Sequence, residues 1–196
     1  MQKNADIPLW IKLPYTLLAA VVFPIYWWKY GLLNFLWFSD IAFFVMVYAL
    51  WTKNRLIPSM MAIGVFPLEA LWLISFATHG AFIGMADYMF DDTLPLWLRA
   101  LSLFHFPMPA AIAYMIWNFG YDKRALFPQI ALAAIVIVTC HLFTLKSENV
   151  NIIYPPKDIT IPEDIYIWLM PATLLTCCII PMHFILKRFF GDKKYS

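Results

Sequence analysis

Charge is what this chain lacks most. Only 13% of its 196 residues are Asp, Glu, Lys or Arg, against about 25% in a soluble domain. A chain so poor in charge cannot clothe a soluble surface. Glycine is scarce too, at 6 residues, and no GxGxxG or Walker pattern exists to cradle a phosphate. HExxH and GxSxG are absent as well, so the common zinc-protease and serine-hydrolase signatures are excluded. Of the 3 cysteines, Cys177 and Cys178 are neighbours in one apolar run and Cys140 lies in another. Without a CxxC motif they read as small hydrophobes rather than a disulfide framework. The net charge is only +2, and no Arg/Lys stripe with interleaved aromatics appears, which argues against nucleic acid.

Apolar surface is abundant: 63% of residues are hydrophobic and 18% aromatic. The surplus has one natural partner, the lipid bilayer. A spanning helix needs about 20 mostly apolar residues. Six windows meet that need: Leu9 or Leu13 to Trp28, Gly31 to Trp51, Leu56 to Phe76, Leu96 to Trp117, Leu126 to Leu145, and Ile165 to Leu186. Thr78 to Leu94 begins apolar but holds Asp87, Asp91 and Asp92. It reads as a loop with an interfacial or re-entrant piece, a seventh span being the alternative. The expected fold is all-α: a polytopic transmembrane helix bundle of about six spans, kinked at prolines and forming a single transmembrane domain over 1–196. "LLAAVVFPIYWW" runs into bulky aromatics with no cleavage pattern, so it reads as the first span and not as a removed signal.

Lys and Arg orient the bundle. With the N-terminus cytoplasmic, the inside receives Lys3, Lys53, Arg55, Lys123, Arg124, Lys187, Arg188, Lys193 and Lys194. The outside receives Lys29, Lys146 and Lys157, the acidic Asp87–Asp92 stretch and the long polar segment Lys146 to Asp164, read as an extended loop. The predicted localisation is the inner, cytoplasmic membrane, multi-pass, with both termini inside. Trp10, Trp27, Trp28, Trp51, Trp97, Trp117 and Trp168 fall near span ends, as interfacial belts require.

Ionisable groups inside the spans carry the functional question, because a charge in hydrocarbon costs at least a few kcal/mol. Counting along continuous helices places Asp40 and His105 near mid-depth, Glu69 at middle to outer depth and His141 toward the outer end of its span. His79 caps the outer end of the third window and His183 lies near the inner face. Arg99, Ser102 and His105 follow at i, i+3 and i+6, a polar stripe descending from the outer surface. Pro107 and Pro109 come immediately after, and Pro67 precedes Glu69. Each proline frees a carbonyl that lipid cannot satisfy. The candidate residues are therefore Asp40, Glu69, Arg99, Ser102, His105 and His141. The bland alternative is a buried tether between Asp40 and Arg99 or His105, worth little net once desolvation is counted. Asp40, His105 and His141 are the set that three helices could converge on a metal, and His105 with His141 the pair for a haem; no spacing within one helix supports either, so no metal is assigned and no cofactor follows from the sequence.

The segments "NFLWFSD" (Asn34–Asp40), "DYMFD" (Asp87–Asp91), "LSLFH" (Leu101–His105) and "YDKRA" (Tyr121–Ala125) resemble a family of uncharacterised bacterial polytopic integral membrane proteins. The resemblance implies a small inner-membrane protein and brings no activity with it. Three functional classes follow from the residues. The leading one is a transporter or channel for a small solute or ion, its outward-opening mid-membrane cavity lined by Asp40, Glu69 and His105. The second is a membrane-embedded enzyme on a lipid or quinone-like substrate. The third is a non-catalytic subunit, packed as a homo-oligomer or in a larger membrane complex through its aromatic surface. Whether the chain is an enzyme is left open by the sequence.

Overall fold

A computed structural model describes residues 6–81, 84–156 and 160–191. Lys3, Lys157, Lys193 and Lys194 of the charge asymmetry, and Phe82 and Ile83 of the apolar piece after Thr78, lie outside them. Every regular element among the described residues is helical. In chain order the α-helices are α1 (Leu9–Tyr30), α2 (Phe38–Thr52), α3 (Leu56–Gly64), α4 (Phe66–Ala77), α5 (Leu96–Leu101), α6 (Pro107–Phe119), α7 (Leu126–Phe143), α8 (Glu163–Thr173) and α9 (Ile180–Phe190).

Four helical stretches are long and apolar enough to cross a membrane: Leu9–Tyr30, Leu96–Phe119, Lys123–Phe143 and Glu163–Phe190. A fifth exists if α3 and α4, bent by 53° at their junction, are one span. The expected helix from Gly31 to Trp51 is shorter than the sequence suggests. Its first part is a 3-10 turn at Leu32–Leu36, and α2 proper begins at Phe38 and has 15 residues. The reason is local. Gly31 ends α1 with φ of 80°, a conformation that favours glycine, and its N–H closes on the Trp27 carbonyl. Asn151, distant in sequence, then caps α2: its side chain accepts from the Phe38 N–H at 2.8 Å and donates to the Leu36 carbonyl at 2.7 Å. The segment read as an extended loop is thus folded around a turn at Val150–Ile152 that reaches back to α2.

Interruption is a general feature. α5 passes into α6 through a 3-10 turn, Ser102–His105, and Pro107 opens α6. α8 passes into α9 through a π-helical stretch, Leu174–Ile179, flanked by Pro171 and Pro181. The carbonyl of Leu103, which Pro107 cannot serve, accepts instead from Phe106 N–H at 3.0 Å. The freed group is satisfied within the turn, as an apolar surround demands.

Packing centres on α3, whose Pro58, Ser59, Met61, Ala62, Ile63 and Gly64 are all buried. It contacts α6, α7 and α9. Phe43, Met46, Leu50, Phe104, Met108 and Ile112 continue this core. Trp10, Trp28, Phe127, Trp168 and Phe189 point outward instead. Lipid is as apolar as leucine, so close packing and polar contacts hold such helices together, not the hydrophobic effect. Two sets of contacts define the ends of the bundle. Arg55 donates to the Tyr121 carbonyl, Asp122 N–H to Ser59, and Tyr121 N–H to the Phe190 carbonyl, gathering the basic loops at one end. The Phe38–Asn151 and Tyr166–Ile152 contacts gather the other.

Candidate functional site

The interruptions place the ionisable residues. Asp40 stands in the first turn of α2 and Glu69 in the first turn of α4, just past the bend. His105 ends the 3-10 turn before α6. A helix N-terminus has unpaired N–H groups and a partial positive charge, which favour a carboxylate. The same field disfavours an imidazolium, so His105 depends on a partner.

That partner is Glu69. His105 Nδ1 lies 2.7 Å from Glu69 Oε2, and the two residues are 7% and 3% exposed. With a carboxylate as acceptor, Nδ1 carries the proton of this bond. The imidazole stacks on Trp72, ring centres 4.2 Å apart, and on Phe104, 4.3 Å apart. Trp72 follows Glu69 at i+3, so one face of α4 supplies both the acid and the ring that holds its histidine. Trp72 Nε1 donates to the Tyr88 hydroxyl at 3.3 Å. Tyr88 also interacts with Ser102, whose hydroxyl is 2.8 Å from that of Tyr26 on α1. A chain of polar contacts thus joins α1, α4, the Gly84–Phe90 turn and the α5–α6 junction.

Asp40 adjoins this chain. It is 3% exposed and near enough to Glu69, Tyr26 and Tyr88 to interact with each electrostatically. Its Oδ2 accepts from Asn34 Nδ2 at 3.2 Å, and its Oδ1 is buried with no hydrogen-bond partner. The expected tether from Asp40 to Arg99 or His105 is not formed. Arg99 turns to the acidic segment, donating to the Met89 carbonyl at 3.0 Å and to Asp92 at 3.3 Å. His105 is already engaged by Glu69.

Of the candidates, Glu69 and His105 are in direct contact, while Asp40 and Ser102 are buried nearby and make their own bonds to Asn34 and Tyr26. Arg99 borders them and His141 stands apart, half-buried on α7 against the Tyr154 ring. Among the described residues no group of three or more His, Cys, Asp or Glu is placed to hold a metal ion, so the Asp40–His105–His141 set is not assembled. The cluster is closed in this conformation, with Ser102 7% exposed, and the expected outward opening is not seen. α2 starts seven residues later than Gly31, so Asp40 stands in its first turn and not midway along a continuous helix. Sequence reasoning missed Tyr26, Trp72 and Tyr88. The i+3 spacing of Trp72 from Glu69 was the available signal; Tyr26 was hidden among the aromatics of "YWWKY".

A second polar knot lies at the basic end. The Tyr121 hydroxyl is 2.6 Å from His183 Nδ1, and both residues are buried. With the Tyr121–Phe190 and Ser59–Asp122 bonds it fastens α9 and α3 to the loop before α7.

No family model, no curated protein and no solved structure matches the chain.

Proposed function

We propose that the chain is a small transporter of the cytoplasmic membrane, moving a small solute or ion through the region where its helices are interrupted. One observation carries the reading: three interruptions, before Phe38, at Val65 and at Ser102–His105, each set an ionisable side chain beside a helix N-terminus, and all three side chains are buried, Glu69 bonded to His105 and Asp40 within electrostatic reach of Glu69. Discontinuous helices that aim their ends at a site inside the bundle are how many carriers bind substrate and coupling ions. A simple packing tether needs neither the breaks nor a carboxylate oxygen left without a partner. The likeness to bacterial polytopic membrane proteins and the gathering of Lys53, Arg55, Lys123, Arg124, Lys187 and Arg188 at one end support the location, with that end cytoplasmic and all six apolar windows in the bilayer. The closed cluster is then one state of a cycle, and another opens it toward the Asp87–Asp92 side.

The test is water access to Ser102, whose hydroxyl a cysteine thiol replaces at small cost. In a background with Cys140, Cys177 and Cys178 replaced by alanine, Ser102→Cys is expected to react with a membrane-impermeant thiol reagent from the periplasmic side of intact cells. A folded protein whose position 102 stays unreactive from both sides, while an exposed loop cysteine reacts, contradicts the reading and leaves the cluster as a dry tether.

A further inference from the structure

Charge balance at the buried cluster identifies the ion. Fully deprotonated, Asp40, Glu69 and His105 together carry two negative charges. Among the described residues no Lys or Arg pairs with either carboxylate: Arg99 is taken by Met89 and Asp92, and Lys53 by Asp6. Uncompensated charge is not tolerated in a dry apolar interior. Two positive charges must therefore be supplied. The Glu69–His105 pair takes one as an added proton, since a neutral imidazole donating its own Nδ1–H would leave the pair with one negative charge. The other belongs to Asp40, whose Oδ1 is buried and has no partner.

The groups facing Asp40 decide between a proton and a metal cation. Asn34, from the turn before α2, presents its NH2 group to Oδ2, and an NH2 donor repels a cation. Tyr26 of α1 is engaged with Ser102, and Tyr88 of the Gly84–Phe90 turn with Trp72 and Ser102. Glu69 of α4 is the remaining charged group in reach, and it is bonded to His105. A hard cation wants several converging oxygen ligands, and among the described residues no group of three or more His, Cys, Asp or Glu is placed to hold one. A proton needs one oxygen. We infer that the ion handled at this site is a proton, held on Asp40 and exchanging with water when the cluster opens. The inference rests on the transport reading for where that proton goes, though not for its being bound.

The test is carbodiimide labelling of the full-length, wild-type protein in lipid bilayers, read by peptide mapping. An apolar carbodiimide adds to a protonated carboxyl and rearranges to a stable acylurea, with nothing lost; a carboxylate in an ion pair does not react. Label is expected on Asp40 and not on Glu69. It should fall as pH is raised, each pH unit past the midpoint removing about a factor of ten of the protonated form, and should be the same in sodium as in choline. Label on Glu69 alone, no label on Asp40 at any pH while other carboxyls react, or protection of Asp40 by sodium at fixed pH would each overturn the inference. Labelling needs no transport, so the two readings fail separately. Titrating label on Asp40 with Ser102→Cys inaccessible removes transport and leaves the proton site. Accessible Ser102→Cys with an unlabelled Asp40 removes the proton site alone.

Discussion

Asp122 and Glu69 are both carboxylates hydrogen-bonded to a basic side chain, and their surroundings give them different tasks. Asp122, in the loop before α7, accepts from the Arg124 backbone N–H at 3.0 Å, from its Nε at 3.0 Å and from its Nη2 at 2.8 Å. The Arg124 side chain holds this carboxyl below the usual range, against a smaller opposing effect of burial. A carboxyl whose folded pKa is lowered adds stability that is complete above its ordinary value of about 4 and vanishes as pH falls through the lowered one. Arg124 stays in water, so the gain is small. Asp122→Asn is therefore expected to lower Tm slightly at neutral pH in detergent, and the gap to wild type should close on acidification below about pH 4. A gap constant with pH would show that the cap acts by shape alone. Glu69 has no such contact with water. Its bond to His105 holds a proton inside the bundle, which is a property of use only if something can reach it.

At the scale of elements, the bend between α3 and α4 is the junction to test. Gly64 closes α3, and a Cβ there would sit 1.9 Å from Gln129 Nε2 on α7. Gln129 is 1% exposed, so it has nowhere to retreat without repacking. Gly64→Ala should destabilise by about 1–3 kcal/mol, the usual cost of overpacking a tight core. Gly64→Ala with Gln129→Ala should recover part of that loss, a non-additivity expected of residues in contact. Equal costs for single and double variants, measured by thermal melts, would mean the bend is set elsewhere. The bend itself could not be read from "IGVFPLE": a glycine and a proline mark a weak point, but the facing Gln129 lies in another apolar window. The same limit explains α2. Its late start depends on Asn151, more than a hundred positions away, which no local pattern reveals. What was legible was whatever rests on composition and on single residues out of place. The helical class, the long apolar helices and the odd status of Asp40, Glu69, Ser102 and His105 came from the sequence, whereas the pairing of Glu69 with His105 over Asp40 required the bend.

For the molecule as a whole, the described residues form an all-helical body with apolar walls, a basic end and a polar chain running inside it. The wall fits lipid. The inner chain is what a mere anchor would lack, since each buried polar group must find a partner or cost free energy. The proposed transport and the proposed proton site together require that protons cross the protein by way of Asp40 and the Glu69–His105 pair. The direct measurement is proton movement into liposomes that contain only the purified chain, followed with a trapped pH dye under an imposed membrane potential. Wild type is predicted to acidify the interior faster than protein-free liposomes, and Glu69→Gln, inserted and folded to the same extent, is predicted to lose that excess. Wild-type liposomes no faster than empty ones, or Glu69→Gln as fast as wild type, would contradict it.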